Sequence, residues 1–259
     1  MDMLIVPDSK ESKRILNDSR FSKRNGFESI RLMKKTLDQN FREDENIPDG
    51  MIEILKKTNV YKALLQKMFH VQKSELMSKY YFQHIKDDKE WISEDFREFP
   101  GYEKEDHLLK GWYDYFTENY YAQIKSLFDL VGHCLDLHLR LNISEVDFAS
   151  AVNQLNQKTI KSHFGIEKRD KCIELQAKIK SEIIGSISYK DLIENRNDLI
   201  HNISPMSPRN KIKDVRKGGI RSLSFTYDYL KSEVRIKAID DLNDLFVNTV
   251  ELIVEAFES

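Results

Sequence analysis

The sequence predicts an all-α protein: a helical bundle with an N-terminal helical extension and a short β-hairpin before the last helix. Three observations predict it. Hydrophobic residues make up 40% of the 259 residues and charged residues 32%, with only 9 Gly and 5 Pro, a composition typical of helical globular chains rather than of barrels or disordered segments. Apolar residues recur at three- and four-residue steps along most of the chain. One segment, from Asp106 to about Leu141, keeps that period without a break.

Taken in order, residues 1–104 read as a helical accessory region. Helical spacing shows in "FESIRLMKKTL", in "MIEILKKTNVYKALLQKMF" and in "SELMSKYYFQHI". "IPDG" (47–50) and "FPG" (99–101) interrupt it, because Pro restricts the residue before it and Gly ends helices. Residues 105–259 read as the bundle proper. In its first segment Tyr120, Ile124, Leu127, Phe128, Val131 and Leu135 form one apolar stripe. At about 1.5 Å per residue this is a rod of roughly 50 Å, which Gly111 or Gly132 could bend.

"SEVDFASAVNQL" follows, with Ser144 as the expected N-cap and Asp147 three residues on. "KRDKCIELQAKIKSEII" and "SYKDLIENRNDLIHN" read as two helices parted by Gly185 and Ser186. "ISPMSPRNKIKDVRKGGIRS" has two Pro, a Gly pair and no periodicity, and reads as a loop. Residues 204–222 hold six Lys or Arg (Arg209, Lys211, Lys213, Arg216, Lys217 and Arg221) against one acid, Asp214, a local net charge of +5. The period then changes. Leu223, Phe225, Tyr227 and Tyr229 alternate with polar residues, as do Val234, Ile236 and Ala238, which predicts a hairpin turning near Lys231 and Ser232. The final helix is "DDLNDLFVNTVELIVEAF", with Leu242, Leu245, Phe246, Val250, Ile253 and Phe257 as its core face.

The formal net charge of -2 excludes a global basic field, so a polyanion would have to meet a local patch. Cys134 and Cys172 form no CxxC pair, which points to reduced thiols in a cytoplasmic protein rather than to a disulfide framework or a zinc site. No export signal and no run of 18 apolar residues is visible, so no membrane association is expected. There is no GxGxxG, Walker-type or GxSxG motif. No metal or other cofactor is expected.

"ENRNDLIHNISP" (194–205) carries the candidate chemistry. Chance readily supplies an Arg and a His five apart, so position on the helix matters more than spacing. At about 100° per residue, Tyr189, Leu192, Ile193, Leu199, Ile200 and Ile203 fall within roughly 60° of the direction of Arg196. The guanidinium therefore sits mid-stripe, where it must be paired, lie at an interface or line a wet groove. Asn197 and His201, four apart, share one flank of that stripe. A structural reading stands beside this one: Arg196 pairs with an acid such as Asp129, and His201 caps a helix C-terminus.

"RNDLIHN" resembles the R-x4-6-H motif of the HEPN superfamily (higher eukaryote and prokaryote nucleotide-binding domains), including the polar residue that follows its Arg, here Asn197. In that family the motif closes the penultimate long helix of an up-and-down bundle, and the resemblance covers about residues 105–259. It implies a metal-independent endoribonuclease that cleaves RNA by 2′-hydroxyl attack at a composite homodimer site. Arg196 and His201 would be catalytic, Asn197 would assist, and the basic loop would contact the RNA backbone. It also implies a toxin or defence role, with an antitoxin or nucleotidyltransferase as protein partner. The alternative is a non-catalytic module that binds RNA, a nucleotide or a protein. A purely structural dimerisation bundle is a third reading.

Other candidates read as structural. His133 and His138 lie five apart on different faces of the long helix, so they are not a metal pair, and His138 belongs to the core stripe. "DDKEWISEDFREF" reads as a solvated acidic face. Tyr113, Tyr120 and Tyr121 could stack bases, but at this spacing core packing is the expectation.

Overall fold

The computed structural model describes residues 6–41, 48–88, 103–201, 209–217, 220–228 and 230–258, excluding the side chains of residues 48, 49, 200 and 201 and of both strands. The fold is an all-α bundle with one two-stranded hairpin. Its helices are α1 (Ser9–Asp18), α2 (Arg20–Lys23), α3 (Gly26–Asn40), α4 (Pro48–Phe82), α5 (Lys104–Leu139), α6 (Phe148–Asn153), α7 (Lys158–Phe164), α8 (Ile166–Lys178), α9 (Ile187–His201) and α10 (Ser232–Glu258). A π-helical turn, Ile179–Ile184, continues α8. Strands β1 (Arg209–Lys217) and β2 (Ile220–Asp228) pair antiparallel between α9 and α10.

Helix α5 is the axis of the core. Its stripe residues Tyr120, Ile124, Leu127, Phe128, Val131 and Leu135 are all fully buried. Helix α4 packs along its length, joining the two periodic stretches read between residues 51 and 85 into one rod. The rod opens at Pro48, where a missing backbone N–H costs nothing because first-turn donors have no intrahelical partner. The break at "FPG" lies outside the described residues.

The N-terminal helices share this core. Phe21, Ile30, Met33 and Leu37 belong to the same buried cluster as Phe128, Phe246 and Val250. Phe21 meets Phe246 edge to face at 6.0 Å. Arg20 pairs with Asp244 and Arg24 with Glu251, tying α2 to α10. These partly exposed pairs add little beside the burial of the aromatic residues.

Two tyrosines and two acids hold the start of α10 in place. Tyr113 donates to the Ser232 carbonyl at 3.0 Å, and Tyr120 donates to the Ile239 carbonyl and to Asn243 Oδ1. Asp88, beyond the end of α4, accepts from the backbone N and Oγ of Ser232. Asp114 accepts from both Lys110 and Arg235, whose side chains are almost wholly buried. Burial pulls the Lys110 ammonium down to about 8 against the opposing pull of Asp114.

Two expectations are corrected. The hairpin does not turn near Lys231 and Ser232: its strands are 209–217 and 220–228, with Lys217 paired to Ile220. Much of the expected loop is therefore β1, and Val234, Ile236 and Ala238 belong to α10. Val234 and Ala238 are four apart, so their alternation is equally a helical pattern. The cap of α6 is Asp147 rather than Ser144. Asp147 accepts from Ser150 N at 2.6 Å while Ser150 Oγ accepts from Asp147 N at 2.9 Å, a reciprocal box that fixes the start at Phe148.

Gly132 serves close packing. A Cβ there would lie 2.8 Å from the Asp147 carbonyl oxygen and 2.9 Å from Phe148 Cα. The core face expected of the last helix, Leu242 to Phe257, is buried throughout.

Two outcomes are expected of chemical denaturation. Gly132→Ala should cost about 1–3 kcal/mol, since backbone rather than a flexible side chain must give way. Asp114→Asn should cost about 3–5 kcal/mol, because it removes the carboxylate that two buried cations contact. An unchanged midpoint in either variant would contradict the packing described.

Candidate functional site

The motif lies on α9, which ends at His201. Tyr189 and Leu192 are buried, and Ile193, Arg196 and Leu199 are half-buried. The Tyr189 ring meets Phe128 at 5.4 Å and Phe148 at 6.0 Å. This agrees with the stripe as far as Leu199, while the side chain of Ile200 and the whole of Ile203 lie outside the described residues: the helix turns its apolar side to α5 and α6, and Arg196 continues that side one turn beyond Leu192.

Among the described residues the one hydrogen bond of Arg196 is to the exposed neighbour Asn197, from Nη1 to Oδ1 at 3.4 Å. This contact is long and weak. No acid pairs with the guanidinium among the described residues. Asp129, the suggested partner, instead accepts from Lys125 and from the Phe148 backbone N–H. The stem of Arg196 is thus partly covered while its charged end makes only an exposed contact, as long cationic side chains do at an apolar edge.

The side chain of His201 lies outside the described residues, as do those of Arg209, Lys211, Lys213, Arg216, Lys217 and Arg221. Their backbone positions are described. His201 is the last residue of α9, and five of the six hairpin cations are on β1 with Arg221 on β2, opposite Arg216. Arg209, Lys211, Lys213 and Lys217 take alternate positions of β1, opposite Asp228, Thr226, Ser224 and Ile220.

The other candidates resolve as structure. His138 is fully buried, its Nδ1 2.8 Å from the Cys134 carbonyl and its Nε2 3.0 Å from Asp38 Oδ1. Burial alone would raise Asp38, but hydrogen bonds from His138 and Lys34 hold its carboxyl below the usual range. Tyr113, Tyr120 and Tyr121 are core residues. Most of the acidic stretch at 87–99 lies outside the described residues. His133 and His70 line a shallow hollow between α4 and α5. Among the described residues no group of three or more His, Cys, Asp or Glu is placed to hold a metal ion. Cys134 and Cys172 are free and buried, and burial pushes both thiols up to about 12. No described helix is long and apolar enough to cross a membrane.

One feature escaped the sequence reading. On the flank of α9 away from Arg196, a groove of about 470 Å³ runs between α9 and α10. Asp191, Glu194 and Asp198 line it from α9, and Asp241 and Lys237 from α10. Neither Arg196 nor Asn197 faces it. The spacing of the three acids along α9 was the available signal.

A bundle whose penultimate helix ends on an Arg-x4-His pair, and whose last helix packs back beside it, is a HEPN-type domain. Residues 61–258 match the family model described as HEPN_Cthe2314-like HEPN, and the chain belongs to this family. The match begins at Tyr61, inside α4, well before the start near residue 105 that the motif alone implied. HEPN domains serve as ribonucleases or as nucleotide-binding modules. Comparison with curated proteins and with solved structures gives no match.

If Arg196 is kept for a ligand rather than for folding, Arg196→Met should leave the urea midpoint unchanged or raise it, because no ion pair among the described residues is lost and the apolar stem is kept. A loss of about 3 kcal/mol or more would mark the arginine as a structural ion-pair partner.

Proposed function

We propose that the protein is a metal-independent endoribonuclease acting from a homodimer, with Arg196 and His201 catalytic and Asn197 assisting. The observation that carries this reading is Arg196, a half-buried residue on the apolar side of α9 whose guanidinium makes only an exposed contact and has no acid partner among the described residues. A permanent, bidentate cation held this way suits a phosphodiester. Family membership supplies the context, since the Arg-x4-His pair stands at the end of the penultimate helix.

In the proposed reaction a ribose 2′-hydroxyl attacks the adjacent phosphorus. One His201 takes the hydroxyl proton as the new P–O bond forms. Arg196 holds the non-bridging oxygens as charge gathers on them. The P–O5′ bond breaks, and the His201 of a second copy gives its proton to the departing oxygen. The products are a 2′,3′-cyclic phosphate and a free 5′-hydroxyl, so no water and no metal enters the balance. Asn197, beside Arg196, orients the guanidinium or the scissile phosphate. Arg209, Lys211, Lys213, Arg216, Lys217 and Arg221 of the hairpin supply sequence-independent backbone contacts, which makes binding strongly salt-dependent. The biological role is that of a toxin or defence effector, held in check by an antitoxin or a nucleotidyltransferase partner.

The test is cleavage of RNA by the purified chain in excess chelator. Arg196→Ala and His201→Ala should each lower the rate by about 10²–10⁴-fold with the circular dichroism spectrum unchanged. The product should carry a cyclic phosphate. Undiminished cleavage in either variant would sink the assignment. RNA bound but never cleaved would instead define a non-catalytic RNA-binding module, and a strict monomer in solution would rule out the composite site.

A further inference from the structure

The groove between α9 and α10 carries chemistry that RNA cleavage does not use. Asp191 and Glu194 of α9 and Asp241 of α10 make no hydrogen bond or ion pair among the described residues. The groove floor is apolar, formed by Leu192 and Leu242, and its lips Ile187 and Val234 are 77% and 49% exposed. Tyr121 completes the inner wall. Its side chain is only 1% exposed and its hydroxyl has no hydrogen-bond partner.

These features ask for the same kind of ligand. A buried hydroxyl without a partner loses its hydration without replacement and is rare in folded proteins. Asp191, Glu194, Asp198 and Asp241 outnumber Lys237 among the described residues of the groove, so a further cation among the carboxylates relieves their repulsion. A hard divalent ion needs several oxygens converging at about 2.0–2.6 Å, and among the described residues no acid group is set that way. An elongated organic cation satisfies every part. Its methylenes lie on the apolar floor as a lysine stem lies on a protein surface, while its charged groups reach the rim. Asp191 and Glu194 are one helical step of about 4.5 Å apart along the axis, an interval that a three-carbon spacer with bonds of about 1.5 Å can bridge.

We propose that this groove is a binding site for an aliphatic polyammonium chain, its ammonium groups paired with Asp191, Glu194 and Asp241 and one N–H donated to the Tyr121 hydroxyl oxygen. The site is independent of the Arg196 flank and does not depend on the ribonuclease reading.

Titration calorimetry of the full chain with spermidine at physiological ionic strength tests it. One saturable site per chain is expected. The double variant Asp191→Asn, Glu194→Gln should abolish binding. Tyr121→Phe should weaken it about tenfold, the loss of one charge-assisted hydrogen bond, without lowering the thermal midpoint of the free protein. Absence of saturable binding overturns the proposal, as does binding undiminished in Tyr121→Phe. Full displacement of spermidine by magnesium at equal ionic strength would reduce the groove to a plain acidic surface. A lysine-rich peptide that binds through these residues where spermidine does not would assign the groove to a protein partner instead.

Discussion

Everything in this fold leans on α5. A helix of 36 residues with buried positions on several sides cannot be solvated, so α4, α6, α9 and α10 must each cover part of it. Each neighbour is fixed by a different chemistry. Apolar packing sets α4 along its length, a backbone approach at Gly132 sets the start of α6, and the edge-to-face contact of Tyr189 with Phe128 sets α9. Tyrosine hydroxyls and the shared Asp114 carboxylate fix α10. Helix α9 is therefore anchored by its first half, where Tyr189 and Leu192 are buried, while Arg196 and Leu199 in its second half are only half-buried.

That arrangement explains why a polar motif can occupy an apolar stripe. Tyr189 and Leu192 anchor α9, and the helix then carries Arg196 in the same angular direction beyond the point where burial is complete. A guanidinium at that level is half-shielded but can still meet a ligand or a second copy. The opposite flank turns acids toward α10. One short helix thus separates Arg196 on one flank from the carboxylates Asp191 and Glu194 on the other.

The helices were legible because each buries a stripe with a period near 3.6, and the stripe of α5 could be named residue by residue. The site was legible in part: the angular position of Arg196 followed from counting, and the structure places it where the count did. What failed was short-range pattern. β1, "RNKIKDVRK", has Ile212 and Val215 three apart, so it shows no strand alternation, and its pairing comes from β2 across the sheet. Val234, Ile236 and Ala238 alternate over too few residues to tell a strand from one face of a helix. Ser144 and Asp147 both satisfy a cap pattern, and the closed hydrogen-bond pair with Ser150 selects between them. Of the acidic groove only the spacing of the acids along α9 was legible, since the groove itself needs α10 beside α9 and Tyr121 beneath both.

The opposed charges on α9 also act at a distance. Fields add over several ångströms before they are screened, with a Debye length of about 8 Å at physiological salt, and a cleft of one sign focuses its potential outward. On the ribonuclease reading proposed above, a diffusing polyanion that meets the Asp191 and Glu194 side would be turned away and one that meets the Arg196 side drawn in. The helix would then filter collisions by direction. Productive encounters should be a larger share of all encounters than a net charge of -2 would suggest, and that advantage should fade as salt rises.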